Sequence, residues 1–395
     1  MDAYHRSTRA EISLDALRNN ITAFRSAIPS GMLLMASVKA NAYGHGAVET
    51  AREAAAAGVD YLGVAFLDEA VQLRRSGIDT PILVLGYVPP SGYALARELN
   101  IAVALFRVDA LEAAAGSAGA GKPLKVHIKV DTGMGRLGVL PGEEVTAFIE
   151  QALRTPGIEV EGLFTHFAKA DEQDKTYTRL QYERFSEIVD YVRRHSLPIT
   201  HIHTANSAAG IDTPEWAYGM LRLGIGMYGL YPSDEVMKDR IALQPVMSLK
   251  TEIVMTKHVP AGWGISYGTR YLAAGGERIG TLPIGYADGF SRMLTGRAEA
   301  IVRGVRVPVL GTICMDQCMI HLDPAADAGG MTGPVQAGEE VVLLGSQGGA
   351  SITAEDLAGD LGTINYEITC MLAARVPRVY IRNGQTVAVT NPLLG

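Results

Sequence analysis

Apolar and polar positions alternate in blocks along the first ~230 residues, with short apolar runs separated by segments of helical period. The runs are LLMASVKA (33–40), YLGVAF (61–66), PILVLG (81–86), IAVALF (101–106), LKVHIKVD (124–131), VEGLFTHFA (160–168), ITHIHTANS (199–207) and LRLGIGMYG (221–229). They are continuous rather than alternating, as expected of parallel strands buried on both faces. Between them AVETAREAAAAG (47–58), DEAVQLRRSG (68–77), EEVTAFIEQALR (143–154) and YERFSEIVDYVRR (182–194) predict helices, several ending at Gly, a common helix stop. Strict β–α order predicts an α/β chain whose N-terminal part closes as a (β/α)8, TIM-type barrel. A doubly wound open sheet is the alternative.

The pattern changes near Leu243. The runs LKTEIVMTKHV, ERIGTLPIGYA, AEAIVRGVRVPVLG, CMIHLD and EEVVLLG are short and divided by Gly- and Asp-rich turns, which predicts a C-terminal, mostly-β, antiparallel domain. AEDLAGDLG predicts one late helix. The expected domains are a barrel over 1–242 and a β-domain over 243–395, with the option that the first ~12 residues join the β-domain.

Composition narrows the function classes. Hydrophobic residues are 48% and charged residues 19% of 395, and the formal charge is −7. A large core is therefore available, and no basic run points to nucleic acid or an anionic membrane. The N-terminus, MDAYHRSTRAEIS, lacks the apolar stretch of a signal peptide. No run reaches the ~18 apolar residues of a membrane span. Three cysteines, Cys314, Cys318 and Cys370, are an odd count in a long chain and point to a reducing, cytoplasmic setting. CMDQC has no second Cys or His pair at zinc spacing, so no metal is expected.

Chemistry in an α/β barrel belongs at the C-terminal strand ends, and polar residues recur there. Lys39 closes the first run. Lys129 and Asp131 close the fifth, with Arg136 just beyond. His166 lies near the end of the sixth, His203, Asn206 and Ser207 end the seventh, and Arg222 precedes Gly224 and Gly226 in the eighth. Taken singly, such residues are snorkelling lysines, structural histidines and packing glycines. Together they make a cationic mouth suited to a phosphorylated cofactor and an anionic substrate. Ser207 with the amides near Gly224 and Ile225 suits a phosphate.

VKANAYGHG (38–46) resembles the cofactor-lysine signature of alanine racemases. IKVDTGMGRLG, HTANSA, LRLGIGMYG, ISYG, PIGYADGF, GTICMDQ and INYE resemble further motifs of that family, in order and across nearly the whole chain. The resemblance implies a pyridoxal 5'-phosphate (PLP) enzyme that interconverts L- and D-alanine by a two-base mechanism, supplying D-alanine for peptidoglycan. It implies that Lys39 holds the cofactor and serves one face of the substrate, with Tyr267 serving the other. Tyr43, Ser207, Gly224, Ile225 and Tyr366 are implied at the phosphate, with Asn206 beside them. Arg222 is implied at the pyridine nitrogen, with His166 and His203 orienting Tyr267 and Arg222. Arg136 is implied at the cofactor hydroxyl and substrate carboxylate. Lys129 resembles a lysine often carbamylated to N-carboxylysine. Tyr267, Met315, Asp316 and Tyr286 are implied as the partner subunit's contribution to the shared sites of a homodimer.

Arginine at the pyridine position can only donate a hydrogen bond. The ring nitrogen is then expected to stay unprotonated and the ring to be a weak electron sink. That suits racemisation better than decarboxylation. Serine or broad-specificity racemisation is the runner-up. A non-catalytic PLP-binding protein would lack the β-domain that carries Tyr267. A metal-dependent hydrolase on the same barrel is disfavoured, because the His201/His203 pair falls on the seventh run rather than the first.

Overall fold

The computed structural model describes residues 4–116 and 122–394. The chain divides into two compact units, one of residues 17–42 and 47–244, the other of residues 1–16, 43–46 and 245–395.

The strand that opens the chain, β1 (Arg9–Ser13), belongs to the second of these units. The first unit holds eight strands: β2 (Leu33–Ser37), β3 (Tyr61–Val64), β4 (Ile82–Val84), β5 (Ile101–Leu105), β6 (Leu124–Lys129), β7 (Ile158–Phe164), β8 (His201–His203) and β9 (Met220–Leu223). They run parallel in the order β8-β7-β6-β5-β4-β3-β2-β9. Between β8 and β9 the ring continues through Gly219 N–H to Ile202 O (3.0 Å) and Arg222 N–H to Ala205 O (3.1 Å), giving a nearly closed barrel. Burial explains the continuous apolar runs: every residue of β3, β4, β5 and β9 is buried.

The outer helices include Ala47–Ala56, Leu67–Arg75, Glu143–Arg154 and Thr176–Arg194. The pattern did not single out Leu14–Ala27, Tyr93–Glu98 or Val108–Gly116. Val108–Gly116 is nearly all apolar or small (VDALEAAAG), so it offers no clear polar face to read.

The second unit contains β10 (Met247–Glu252), β11 (Met255–Val259), β12 (Gly264–Ile265), β13 (Tyr271–Leu272), β14 (Glu277–Leu282), β15 (Glu299–Val302), β16 (Val305–Leu310), β17 (Cys318–His321), β18 (Glu340–Gln347), β19 (Ala350–Ile352), β20 (Arg378–Arg382) and β21 (Gln385–Thr390). The large sheet runs β11-β14-β17-β16-β15-β18-β10-β1-β20-β21. Its pairs are antiparallel except β1 with β20, which run parallel because β1 is supplied from the far end of the chain. The late helix spans Ala354–Leu361, where Thr353 and Asp356 form a capping box.

Residues 43–46 fold with this second unit, and two glycines show why. Gly44 has φ +87°, and a Cβ there would lie 2.0 Å from Thr369 O; Gly46 has φ +95°, with Tyr380 Oη at 1.8 Å. The buried Arg378 guanidinium holds the same segment, donating from Nε to Gly44 O (3.0 Å) and from its other nitrogens to Leu372 O, Ala373 O and Val376 O. Gly44→Ala should therefore cost about 3 kcal/mol or more, from backbone collision plus left-handed φ. Gly384, at φ +72° with open space around it, should lose only about 1–2 kcal/mol as Gly384→Ala. Denaturant midpoints of the two variants check this; equal losses would contradict the packing account.

Candidate active site

Lys39 lies two residues past the end of β2, and the four residues after it form a left-handed turn, with φ of 52° at Ala40, 52° at Asn41, 53° at Ala42 and 52° at Tyr43. Each such non-glycine residue costs roughly 1–2 kcal/mol, and strain of this kind gathers at functional sites. Hydrogen bonds hold the turn. Ala40 N–H donates to Glu69 Oε1 (2.6 Å), Ala42 N–H to Val38 O (2.9 Å) and Ala47 N–H to Asn41 Oδ1 (2.9 Å).

At the centre of the barrel mouth is Arg222, buried on β9. One terminal nitrogen donates to His203 Nδ1 (2.9 Å), and the other to Thr165 O (2.8 Å), Thr204 O (2.7 Å) and His166 Nδ1 (3.1 Å). Its Nε–H has no hydrogen-bond partner among the described residues. Burial pulls the Arg222 pKa down to about 9, so the group remains charged at neutral pH. Phe164 lies against it, 5.6 Å from ring centroid to guanidinium, and stacks on His203 at 4.9 Å.

Lys129, at the end of β6, is 4% exposed, and no group accepts a hydrogen bond from its amine among the described residues. Its nitrogen sits 4.7 Å from the Phe164 centroid. Burial first, then Arg222 and Arg136, push its pKa well below the ordinary lysine value, with Asp131 opposing. Asp131 is committed elsewhere: its carboxylate accepts from the amides of Gly133, Met134, Gly135 and Arg136 at 2.9–3.1 Å, shaping the loop that carries the exposed Arg136. Burial and the charges of Arg222, Lys129, Arg136 and Lys39 hold His166 well below the usual imidazole value. These groups therefore share one electrostatic site.

Ser207 begins the helix Ser207–Asp212, which Asn206 caps by accepting from Ala209 N–H (3.0 Å). Ser207 Oγ accepts from Gly224 N–H (2.9 Å) and Gly226 N–H (3.3 Å), which leaves its hydroxyl hydrogen to donate. Gly224 leads into the 3-10 turn Ile225–Tyr228, and the first amide of that turn, Ile225 N–H, has no acceptor within it. An anion-binding lip of spare donors results.

The remaining candidates lie in the second unit. Tyr43 and Tyr366 have ring centroids 6.2 Å apart. Tyr267, Tyr286, Met315 and Asp316 sit on interlaced segments: Thr312 Oγ1 donates to Tyr267 O (2.8 Å), Tyr286 N–H to Cys314 O (3.0 Å) and Ala287 N–H to Met315 O (3.0 Å). Arg375 spans Asp316 (2.6 Å) and the buried Asp288 (2.7 Å), which also takes Arg6 (2.7 Å). Tyr267 is 70% and Met315 53% exposed.

Family models now decide the relationship. "Alanine racemase, N-terminal domain" matches residues 12–232, and "Alanine racemase, C-terminal domain" matches 246–380. The chain belongs to the alanine racemase family. An alanine racemase of Halalkalibacterium halodurans is 44% identical over the full length of both chains. That of Desulforamulus reducens is 46% identical, covering 94% of this chain and 98% of its own. Among solved structures, the Bacillus anthracis alanine racemase with bound L-Ala-P superposes with TM-score 0.93 at 41% identity and 99% coverage of both chains. The Clostridium difficile racemase in complex with cycloserine gives 0.91 at 39%, covering 99% of this chain and all of its own. The racemase assignment and the barrel-plus-β architecture expected from sequence both stand.

Two residues near this site were not singled out from the sequence, His127 and Glu161. The available signal was the strand LKVHIK, where Lys125, His127 and Lys129 recur with period two in an otherwise apolar run.

The Lys129 shift has a sign that can be measured. Its folded pKa is depressed, so the unfolded chain binds the extra proton between that value and ~10.4, and stability rises with pH through that window, by up to about 1.4 kcal/mol per pH unit. In buffer purged of carbon dioxide, Lys129→Met should flatten this slope. An unchanged slope, measured by denaturation from neutral pH upward, would contradict the placement of Lys129 as a buried amine.

Proposed function

We propose that this racemase acts with pyridoxal phosphate held on Lys39, and that each site takes Tyr267 from the partner subunit of a homodimer. The observation that carries the cofactor reading is Arg222, a buried donor-only group whose Nε–H has no acceptor among the described residues, together with an Ile225 amide and a Ser207 hydroxyl hydrogen that likewise have none among them. An acceptor nitrogen and a phosphate on one ligand match that donor set. Tyr43 and Tyr366 are assigned to the same phosphate, and Asn206 supports it by capping the Ser207 helix.

The chemistry PLP supplies is delocalisation of the electron pair left when the alanine α-proton departs. Arg222, able only to donate, would hold a ring nitrogen as an acceptor rather than protonate it. Lys39 is the proton carrier on one face of the substrate and the Tyr267 hydroxyl on the other, each contributing on the order of 10²–10⁴-fold as a general acid or base. Arg136 binds the substrate carboxylate, with Met315, Asp316 and Tyr286 of the partner subunit bounding a small side-chain pocket. A neutral, buried Lys129 amine is the form that adds carbon dioxide. That addition would release one proton and give an N-carboxylysine, placing an anion near Arg136 where the neutral amine had been. We assign the enzyme to a cytoplasmic supply of D-alanine for peptidoglycan.

The exposed Tyr267 and Met315 of a single chain support the shared site. In an isologous dimer, Lys39 of one chain would work with the partner's copy of Tyr267. Lys39→Ala and Tyr267→Phe homodimers should each be nearly inactive. Mixed under subunit exchange in equal amounts, they should form about half heterodimers, each with one intact site, and regain roughly a quarter of wild-type activity. Exchange demonstrated by mass measurement with no recovered activity would contradict the shared site.

A further inference from the structure

Below the cation cluster, a line of hydrogen bonds continues from Arg222 through the barrel interior. Arg222 can only donate, so His203 Nδ1 accepts at 2.9 Å. Burial, with the charge of Arg222 next, keeps His203 neutral, so its proton is on Nε2. That Nε2 is 2.9 Å from His127 Nδ1, which must accept. His127, fully buried and kept neutral chiefly by burial, then carries its proton on Nε2, 3.3 Å from Glu161 Oε2. The carboxylate also takes Lys125 Nζ at 2.8 Å and the Tyr61 hydroxyl. Burial raises the Glu161 pKa, but hydrogen bonds from His127 and Lys125 outweigh it and bring it to about 2. Each proton position follows from the one before.

The fold makes room for this line. His127 is registered with Gly162 on β7, and a Cβ at Gly162 would lie 2.2 Å from His127 Nδ1. The β6–β7 register shifts between Val126 and His127, leaving Glu161 as the extra residue of a bulge. His201 stacks on His127 at 6.0 Å and Tyr61 meets it edge-on at 6.3 Å, restraining the ring.

We propose that His127 and Glu161 are positioning residues for racemisation, fixing His203 as its Nε2–H tautomer so that Arg222 stays aimed with its Nε–H free. The effect on catalysis rests on the Arg222 reading above; the tautomer line does not. Without an acceptor at His127, His203 can move its proton to Nδ1. It would then face the Arg222 N–H donor to donor, and the guanidinium would have to turn.

The test compares His127→Leu, which removes the acceptor, with His127→Asn, whose amide oxygen can replace Nδ1. Histidine-15N-labelled protein is read with and without PLP. In the wild type, His203 should show a proton on Nε2 only, across neutral pH. His127→Leu should give mixed His203 tautomers even without PLP, and with PLP a kcat about 10–100-fold lower, the range seen for outer partners of ligating histidines. KM for alanine should be little changed. His127→Asn should restore the single tautomer and most of kcat. Should His127→Leu fail to fold, Glu161→Leu, at the partly exposed end of the line, should give mixed tautomers at His127 and a smaller kcat loss. A folded His127→Leu with a single Nε2–H tautomer at His203 would overturn the proposal, as would an equal kcat loss in His127→Asn. Mixed tautomers without PLP, combined with unchanged kcat and cofactor absorbance, would overturn the Arg222 reading and leave the tautomer line standing.

Discussion

A guanidinium taken out of water demands acceptors, and the barrel supplies them to Arg222 from two neighbouring segments. Thr165 O and His166 Nδ1 follow β7, Thr204 O follows β8, and His203 Nδ1 ends β8. Leaving such a cation buried and short of partners would cost several kcal/mol. His203 must therefore present a lone pair to Nη1, and burial first, then the charge of Arg222, keeps His203 and His166 neutral. Nε–H is among the donors left open, since three of the four acceptors face Nη2 and only His203 faces Nη1. The chemistry proposed for the site follows from that geometry.

The same constraint explains the surrounding electrostatics. A mouth built from Lys39, Lys129, Arg136 and Arg222, with Asp131 spent on loop amides, favours anions and neutral amines. It suits a phosphate and a substrate carboxylate. It also depresses the Lys129 amine toward the uncharged form that carbon dioxide can modify. Cation–π contact of Arg222 with Phe164 offsets part of the repulsion.

The barrel was legible because parallel strands buried on both faces leave continuous apolar runs, and polar residues closing such runs mark the mouth. Lys39, Lys129, His166, His203 and Arg222 were readable on that basis. Less legible was whatever depends on long-range pairing. That the first ~12 residues could join the β-domain was an option on the sequence, but the pairing of β1 with both β10 and β20 shows only in the sheet. Residues 43–46 join the second unit through contacts at Thr369, Arg378 and Tyr380 that no local pattern announces. Tyr267 and Asp316 were identified by motif resemblance alone, since exposed residues on irregular segments carry no periodicity. His127 and Glu161 were visible as polar residues in buried strands, but their connection to Arg222 required the register of β6, β7 and β8.

The chemistry proposed here depends on Arg222 meeting a bound ring nitrogen as a donor and keeping it an acceptor. The most direct measurement is the 15N spectrum of the enzyme loaded with PLP labelled at the pyridine nitrogen, recorded across neutral pH. The account predicts an unprotonated, hydrogen-bond-accepting nitrogen in the native enzyme that becomes protonated in Arg222→Glu. A protonated nitrogen in the native enzyme, or the same signal in both proteins, would contradict it.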